Sequence, residues 1–147
     1  MREPQYHVEF SKAFTMYQFV SIGSKGEINK LIKYTKTGTA NVYNLGFGDK
    51  IGETEDIDDE VISNNGDSIK VLATVAASAF VFTDNYPNAY IFATGSTPSR
   101  TRLYQIGIAN NLKEIEEGFY VWGEYNEVWE IFQRNKNYTA FLVTRKW

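Results

Sequence analysis

The stretch SIKVLATVAASAFVFTDN, residues 68–85, decides the fold. Ile69, Leu72, Ala73, Ala76, Ala79 and Phe80 recur at helical spacing, while Val71, Val75 and Phe82 cover a second face. A helix that is apolar nearly all round has to be buried on more than one side. Asp67 or Ser68 can cap its start by accepting from orphan N–H groups, and Tyr86-Pro87-Asn88 ends it. Its small residues Ala73, Ala76, Ala77 and Ala79 allow it to lie close to a sheet.

The sequence on either side supplies that sheet. Upstream, Tyr6, Val8 and Phe10 alternate with His7 and Glu9, and MYQFVSI (16–22) is rich in aromatic and β-branched residues. Ile28, Ile32 and Tyr34 share one face of a third strand, which Lys30 interrupts. Val42, Tyr43, Leu45 and Phe47 mark a fourth. Short Gly-containing turns at 24–26 and 37–39 join these runs as a meander. Residues 48–60, GDKIGETEDIDDE, read as a long exposed acidic loop, with one further strand expected over Asp58 to Ser63, returning against 42–47.

Downstream, Ala89 to Thr94 reads as a short apolar strand at the centre of the sheet. Thr97 suits an N-cap and Pro98 the first position of a second helix running to about Asn110. Leu112 to Glu117 adds a helical turn, and 119–122, 128–132 and 138–144 return to strand patterns. The expected fold class is therefore α+β. A curved antiparallel sheet wraps around a buried central helix, with a second helix after a short central strand, in a single domain spanning 1–147.

Composition limits the chemistry. The 147 residues include no cysteine, so thiolate catalysis, disulfides and Cys-bound metals are excluded. A single histidine, His7, excludes His-pair metal motifs. No phosphate-cradling GxxxxGK[ST] or dinucleotide GxGxxG is present; Gly46-Phe47-Gly48 lacks the third glycine. No apolar run approaches the roughly 18 residues of a membrane span, and the sequence reads as cytoplasmic. The formal net charge of −3 hides an uneven layout: residues 1–48 and 132–147 are basic, and 49–67 are strongly acidic. A globally basic nucleic-acid binder is excluded, a local basic patch is not.

One segment can carry chemistry. Gly95-Ser96-Thr97-Pro98-Ser99-Arg100-Thr101-Arg102-Leu103-Tyr104 is a strand-to-helix turn with hydroxyls and two arginines. Free N–H groups at a helix start favour anions. Ser96, Thr97 and Ser99 add donors, and the guanidiniums of Arg100 and Arg102 suit a phosphate or carboxylate. The candidate ligand-binding residues are Gly95, Ser96, Thr97, Ser99, Arg100, Arg102 and Tyr104, with a phosphorylated small molecule or nucleic acid as ligand. Nuclease-like chemistry would draw on Arg100, Arg102, Tyr104 and His7. The competing reading is structural: Thr97-Pro98 is an efficient helix start, and the arginines latch onto the acids of 53–60.

Other clusters have plain explanations beside sharper ones. The carboxylates of 53–60 do not follow the EF-hand spacing, so no metal site is assigned. The basic and aromatic C-terminus, QRNKNYTAFLVTRKW, suits single-stranded nucleic acid but fits a protected edge strand better. Tyr120, Trp122, Tyr125 and Trp129 fall on two adjacent strands as one aromatic surface, a candidate homodimer interface where it is not core.

The blocks GSTPSRTRLYQ, NNGDSIKVLATVA and YTAFLVTRK resemble a family of small bacterial single-domain proteins of unknown function, over about Tyr43 to Lys146. The resemblance implies a complete single-domain protein and carries over no activity, catalytic residue or cofactor. The expectation is a self-associating binding module, with anion binding at the 95–102 turn as the alternative.

Overall fold

The computed structural model describes residues 3–58 and 63–147. Strands β1 (Glu9–Phe10), β2 (Met16–Gly23), β3 (Gly26–Lys36) and β4 (Val42–Asp49) precede helix α1 (Ser68–Asn85). Then follow β5 (Tyr90–Ala93), α2 (Pro98–Asn110), α3 (Leu112–Gly118), β6 (Phe119–Tyr125), β7 (Val128–Ile131) and β8 (Ala140–Arg145). The strands form one curved, unclosed eight-stranded sheet in the order β1-β2-β3-β4-β5-β8-β6-β7. The α+β fold and the wrapped helix are as the sequence predicts.

Neighbouring strands run antiparallel except β4 and β5, which are parallel. The exception follows from connectivity. The chain leaves β4, passes through α1 and enters β5 from the same end, a crossover that a parallel pair requires. Among the described residues the sheet passes between the two strand-rich ends of the chain through β5, which β4 pairs on one side and β8 on the other.

The inner face of the sheet packs on α1. Phe82 is fully buried, stacks on Tyr34 at 4.2 Å between ring centres, and meets Tyr43 edge-on at 5.0 Å. Tyr17 meets Tyr34 edge-on at 5.9 Å. The Tyr34 hydroxyl lies 2.7 Å from Ser78 Oγ, so the one polar atom of that ring is satisfied inside the core. The other side of α1 receives α2. A Cβ added at Gly107 would come within 3.3 Å of Leu72 Cδ2, so glycine sets how closely the two helices approach.

Two expected elements differ. The strand expected over Tyr6–Phe10 shortens to Glu9–Phe10, and His7 is exposed outside it. The alternation is real, since Tyr6 and Val8 do pack on the core. Side-chain bonds replace the ladder there: Tyr6 N donates to Thr74 Oγ1 (2.8 Å) and Tyr6 OH to Asp67 Oδ2 (2.5 Å). Of the strand expected over Asp58–Ser63, residues 59–62 lie outside the described residues. Just before it, Ile57 makes an isolated antiparallel bridge with Lys50. Among the described residues no helix is long and apolar enough to cross a membrane.

Two outcomes test this packing. Phe82→Ala should cost about 3–5 kcal/mol in urea unfolding, because no neighbour can refill the space left by the stacked ring. Burial pushes the Tyr17 and Tyr34 phenols above their ordinary value. The stability that depends on their neutral forms is complete below the unfolded phenol pKa of about 10 and is lost as pH rises above it. Tyr34→Phe should lose about 1 kcal/mol at neutral pH. It should also decline less steeply than the parent when urea unfolding is repeated above pH about 10.

Candidate functional site

The 95–102 turn is built as the sequence predicts. Thr97 sits in extended conformation as the N-cap of α2, its hydroxyl accepts from Arg100 N at 3.2 Å, and Pro98 opens the helix. Gly95 N donates to Thr101 Oγ1 at 3.0 Å, and Thr101 Oγ1 lies 3.2 Å from Thr97 O. A Cβ on Gly95 would stand 2.4 Å from Thr101 N and 2.5 Å from Arg100 Cβ, so the turn closes only on glycine. The hydroxyls of Thr97 and Thr101 are therefore spent within the turn, while the side chains of Ser96 and Ser99 are on the surface.

The two arginines part company. Arg102 is exposed, on the same outer side of α2 as the exposed Ile106. Arg100 is buried, 8% exposed, and its Nη2 donates to the Asp58 carbonyl at 2.7 Å. To get there it passes Gly48 of β4, where an added Cβ would lie 3.0 Å from Nη2 and 2.8 Å from Ile57 Cγ2. Tyr104 OH donates to the Leu45 carbonyl at 2.9 Å, beside the stretch of β4 that extends past its pairing with β5. Arg100 and Tyr104 thus tie α2 to β4 and to the acidic segment. His7 lies on the N-terminal segment bonded to Thr74, and Arg102 faces solvent.

A second polar cluster escaped the sequence reading. Lys30, which interrupts the apolar face of β3, is the cross-strand partner of Asp49, at the end of β4 where the sequence predicts loop. Lys30 is buried, 7% exposed, and its ammonium is bonded to Asp49 Oδ1 and donates to Ser63 Oγ at 3.0 Å. Ser63 Oγ donates to the same carboxylate, 2.8 Å from Oδ1 and 2.7 Å from Oδ2. These groups and Arg100 line a cleft of about 230 Å³ that reaches the start of α1. A lysine on an otherwise apolar strand face was the available signal, since a buried charge demands a partner. Among the described residues no group of three or more His, Cys, Asp or Glu side chains is gathered for a metal.

The outer face of the sheet divides in two. Over β3 and β4 the chain covers itself: Ile57 lies against Gly46 and Gly48, and Lys33 Nζ donates to the Glu55 carbonyl at 2.9 Å. Leu31, paired with Gly48 on this face, is fully buried. Over β5, β8, β6 and β7 the face is bare. Tyr120 (54% exposed), Trp129 (40%) and Ile131 (70%) stand on it with Tyr90 and Trp122. Tyr90 and Trp122 rings lie 6.5 Å apart, and Tyr120 and Trp122 rings 6.1 Å. Of the four expected surface aromatics, Tyr120, Trp122 and Trp129 share this face. Tyr125 does not: strand alternation turns it to the opposite side, where Lys136 sits 4.3 Å over its ring.

The chain belongs to DUF6934, a family of unknown function whose model matches residues 2–146. No curated protein and no solved structure matches the chain. The DUF6934 match takes in the whole of the described sheet and its helices and, carrying no assigned activity, leaves function to the geometry.

The Arg100 passage gives a direct test. Gly48→Ala should cost about 1–3 kcal/mol in urea unfolding through crowding against Ile57 and Arg100. In an Arg100→Ala background that cost should shrink by about 0.5 kcal/mol or more, as a double-mutant cycle between contacting residues requires. Strict additivity would show that the two residues do not meet.

Proposed function

We propose that the protein is an interaction module that self-associates, with a second copy docking on the bare half of the outer sheet face. The observation that carries this reading is the contrast within one face. The chain spends residues 50–58 covering β3 and β4, yet leaves Tyr120 of β6 and Trp129 and Ile131 of β7 in water. Contiguous exposed apolar faces rimmed by polar residues mark interaction sites, and Tyr and Trp are favoured there because they bury large areas while keeping a polar end.

A second copy fits better than a charged partner. The bare face holds one carboxylate, Glu124, already accepting from Thr139 Oγ1 at 3.0 Å. In a two-fold contact each residue meets the same patch on the partner. Trp122, Trp129 and Ile131 carry no charge and can do so without setting like charges opposite each other, while the Lys146 ammonium stands 5.1 Å from the Tyr120 ring centre. The unpaired edge of β7 lies next to the same patch and ends the sheet there.

Light scattering on a gel-filtration column decides the question. The parent should elute as a dimer at micromolar concentration. Trp129→Lys and Ile131→Lys, both on exposed side chains, should elute as monomers with unchanged circular dichroism. A monomeric parent, or a double variant that stays dimeric, would overturn the reading.

A further inference from the structure

We propose that Ser63 is a nucleophile, activated by Asp49 and Lys30, for acyl transfer from small carboxylic esters. The inference is independent of self-association, because it rests on the cleft on the other side of the sheet.

A serine hydroxyl needs a base within hydrogen-bond reach, and that base needs a third group to orient it. Asp49 presents both oxygens to Ser63 Oγ, at 2.8 and 2.7 Å, and Lys30 is bonded to Oδ1 of the same carboxylate. Lys30 Nζ also donates to Ser63 Oγ at 3.0 Å, which places a positive charge beside the oxygen that would attack. The three groups come from β3, the end of β4 and the segment before α1, and are held by the last register pair between the two strands.

The surroundings add what such a step requires. The cleft of about 230 Å³ has an apolar floor of Phe47, Val71, Leu72 and Leu103. Its size is below the roughly 300 Å³ at which drug-sized ligand sites begin, which selects a short acyl group. Asp67 and Ser68, at the start of α1, line the same space. Asp67 does not cap α1 with its side chain; its carboxylate instead accepts from Tyr6 OH and Ser21 Oγ, both at 2.5 Å. The first turn of this 18-residue helix is therefore left without a side-chain cap at the rim of the cleft. Helix-start N–H groups and the Lys30 ammonium are donors of the kind that stabilise a developing oxyanion.

In the reaction the Ser63 oxygen forms a bond to the ester carbonyl carbon while its proton passes to Asp49. The bond from that carbon to the alcohol oxygen breaks, and the leaving alkoxide takes the proton from Asp49. Water, delivering its proton through Asp49, then cleaves the acyl–Oγ bond, releasing the carboxylic acid and restoring the hydroxyl.

The test is labelling of the full chain with a small alkyl fluorophosphonate, mapped by peptide mass spectrometry, alongside hydrolysis of p-nitrophenyl acetate. The adduct should map to Ser63. Ser63→Ala, with an unchanged circular dichroism spectrum, should lose both the adduct and the hydrolysis above background. Asp49→Asn, where it keeps the parent spectrum, should slow labelling by roughly 100-fold, the scale of a general base. Because that variant leaves Lys30 without its counter-charge and can unfold the chain, Ser63→Ala is the deciding arm. An unlabelled parent, an adduct on another residue, or equal labelling of Ser63→Ala would overturn the proposal.

Discussion

Everything in this structure answers to the burial of one helix. α1 carries apolar side chains on nearly every face, and a helix of that kind in water has to be enclosed. One layer of sheet covers one side only. The curvature that wraps β2, β3 and β4 about Phe82, and the return of α2 against Leu72, are the two halves of that enclosure. The Phe82–Tyr34 stack marks the contact through which the first half of the sheet is held to the helix. Deleting it would open a space lined by rings too rigid to collapse inward.

Enclosing α1 brings polar groups inside with it, and the chain satisfies them with long-range partners. Asp67 shows the trade. At the start of α1 its carboxylate could have capped the helix, a contact worth about 1 kcal/mol. It instead accepts from Tyr6 and Ser21, tying the N-terminal segment and β2 to the helix start. Asn65 makes a similar tie, donating to Ser21 Oγ at 3.1 Å and to the Gly26 carbonyl at 2.9 Å. Lys30 and Asp49 are the costliest members of this set, because two charges lose water together. Removing either partner would leave the other uncompensated, so the pair is fixed in place by what its disruption would cost.

The sequence was legible where local chemistry alone decides, and silent where topology does. The bounds of α1, the Thr97 cap and Pro98 follow from periodicity and capping within a few residues. The parallel β4–β5 pair does not, because nothing in either strand records which way its neighbour runs. Arg100 was expected against the carboxylates of 53–60; among the described residues its guanidinium donates to the main-chain carbonyl of Asp58, and Asp59 and Glu60 of that segment lie outside the described residues. The direction was readable from the helix face, while the contact with the Asp58 carbonyl depends on how the acidic segment folds back over β4. Lys30 and Asp49 failed for the same reason. Lys30 reads as a break in a strand face and Asp49 as part of an exposed acidic loop, and only the register of β3 on β4 makes them partners.

The treatment of the outer face sharpens this distinction between local and global constraint. An aromatic or aliphatic residue in a strand can pack on either side, so its presence fixes neither core nor surface. Trp122 and Trp129 would serve the inner core equally well one register away, since a shift of one residue exchanges the two faces. They are held outside because Val121, Phe119 and Phe141 already fill the inner positions of β6 and β8, each nearly free of water. The inner face is thus selected by closure around α1, and the outer aromatics are what that closure leaves over. On β3 and β4 the remainder is small side chains, Gly46 and Gly48, which leave room for Ile57 and for the Arg100 passage. On β6 and β7 it is large rings, which admit no segment of similar fit from the chain itself. The same sheet therefore closes one half of its outer side from within and presents the other half outward, and the difference traces to residue size along strands that share a single core.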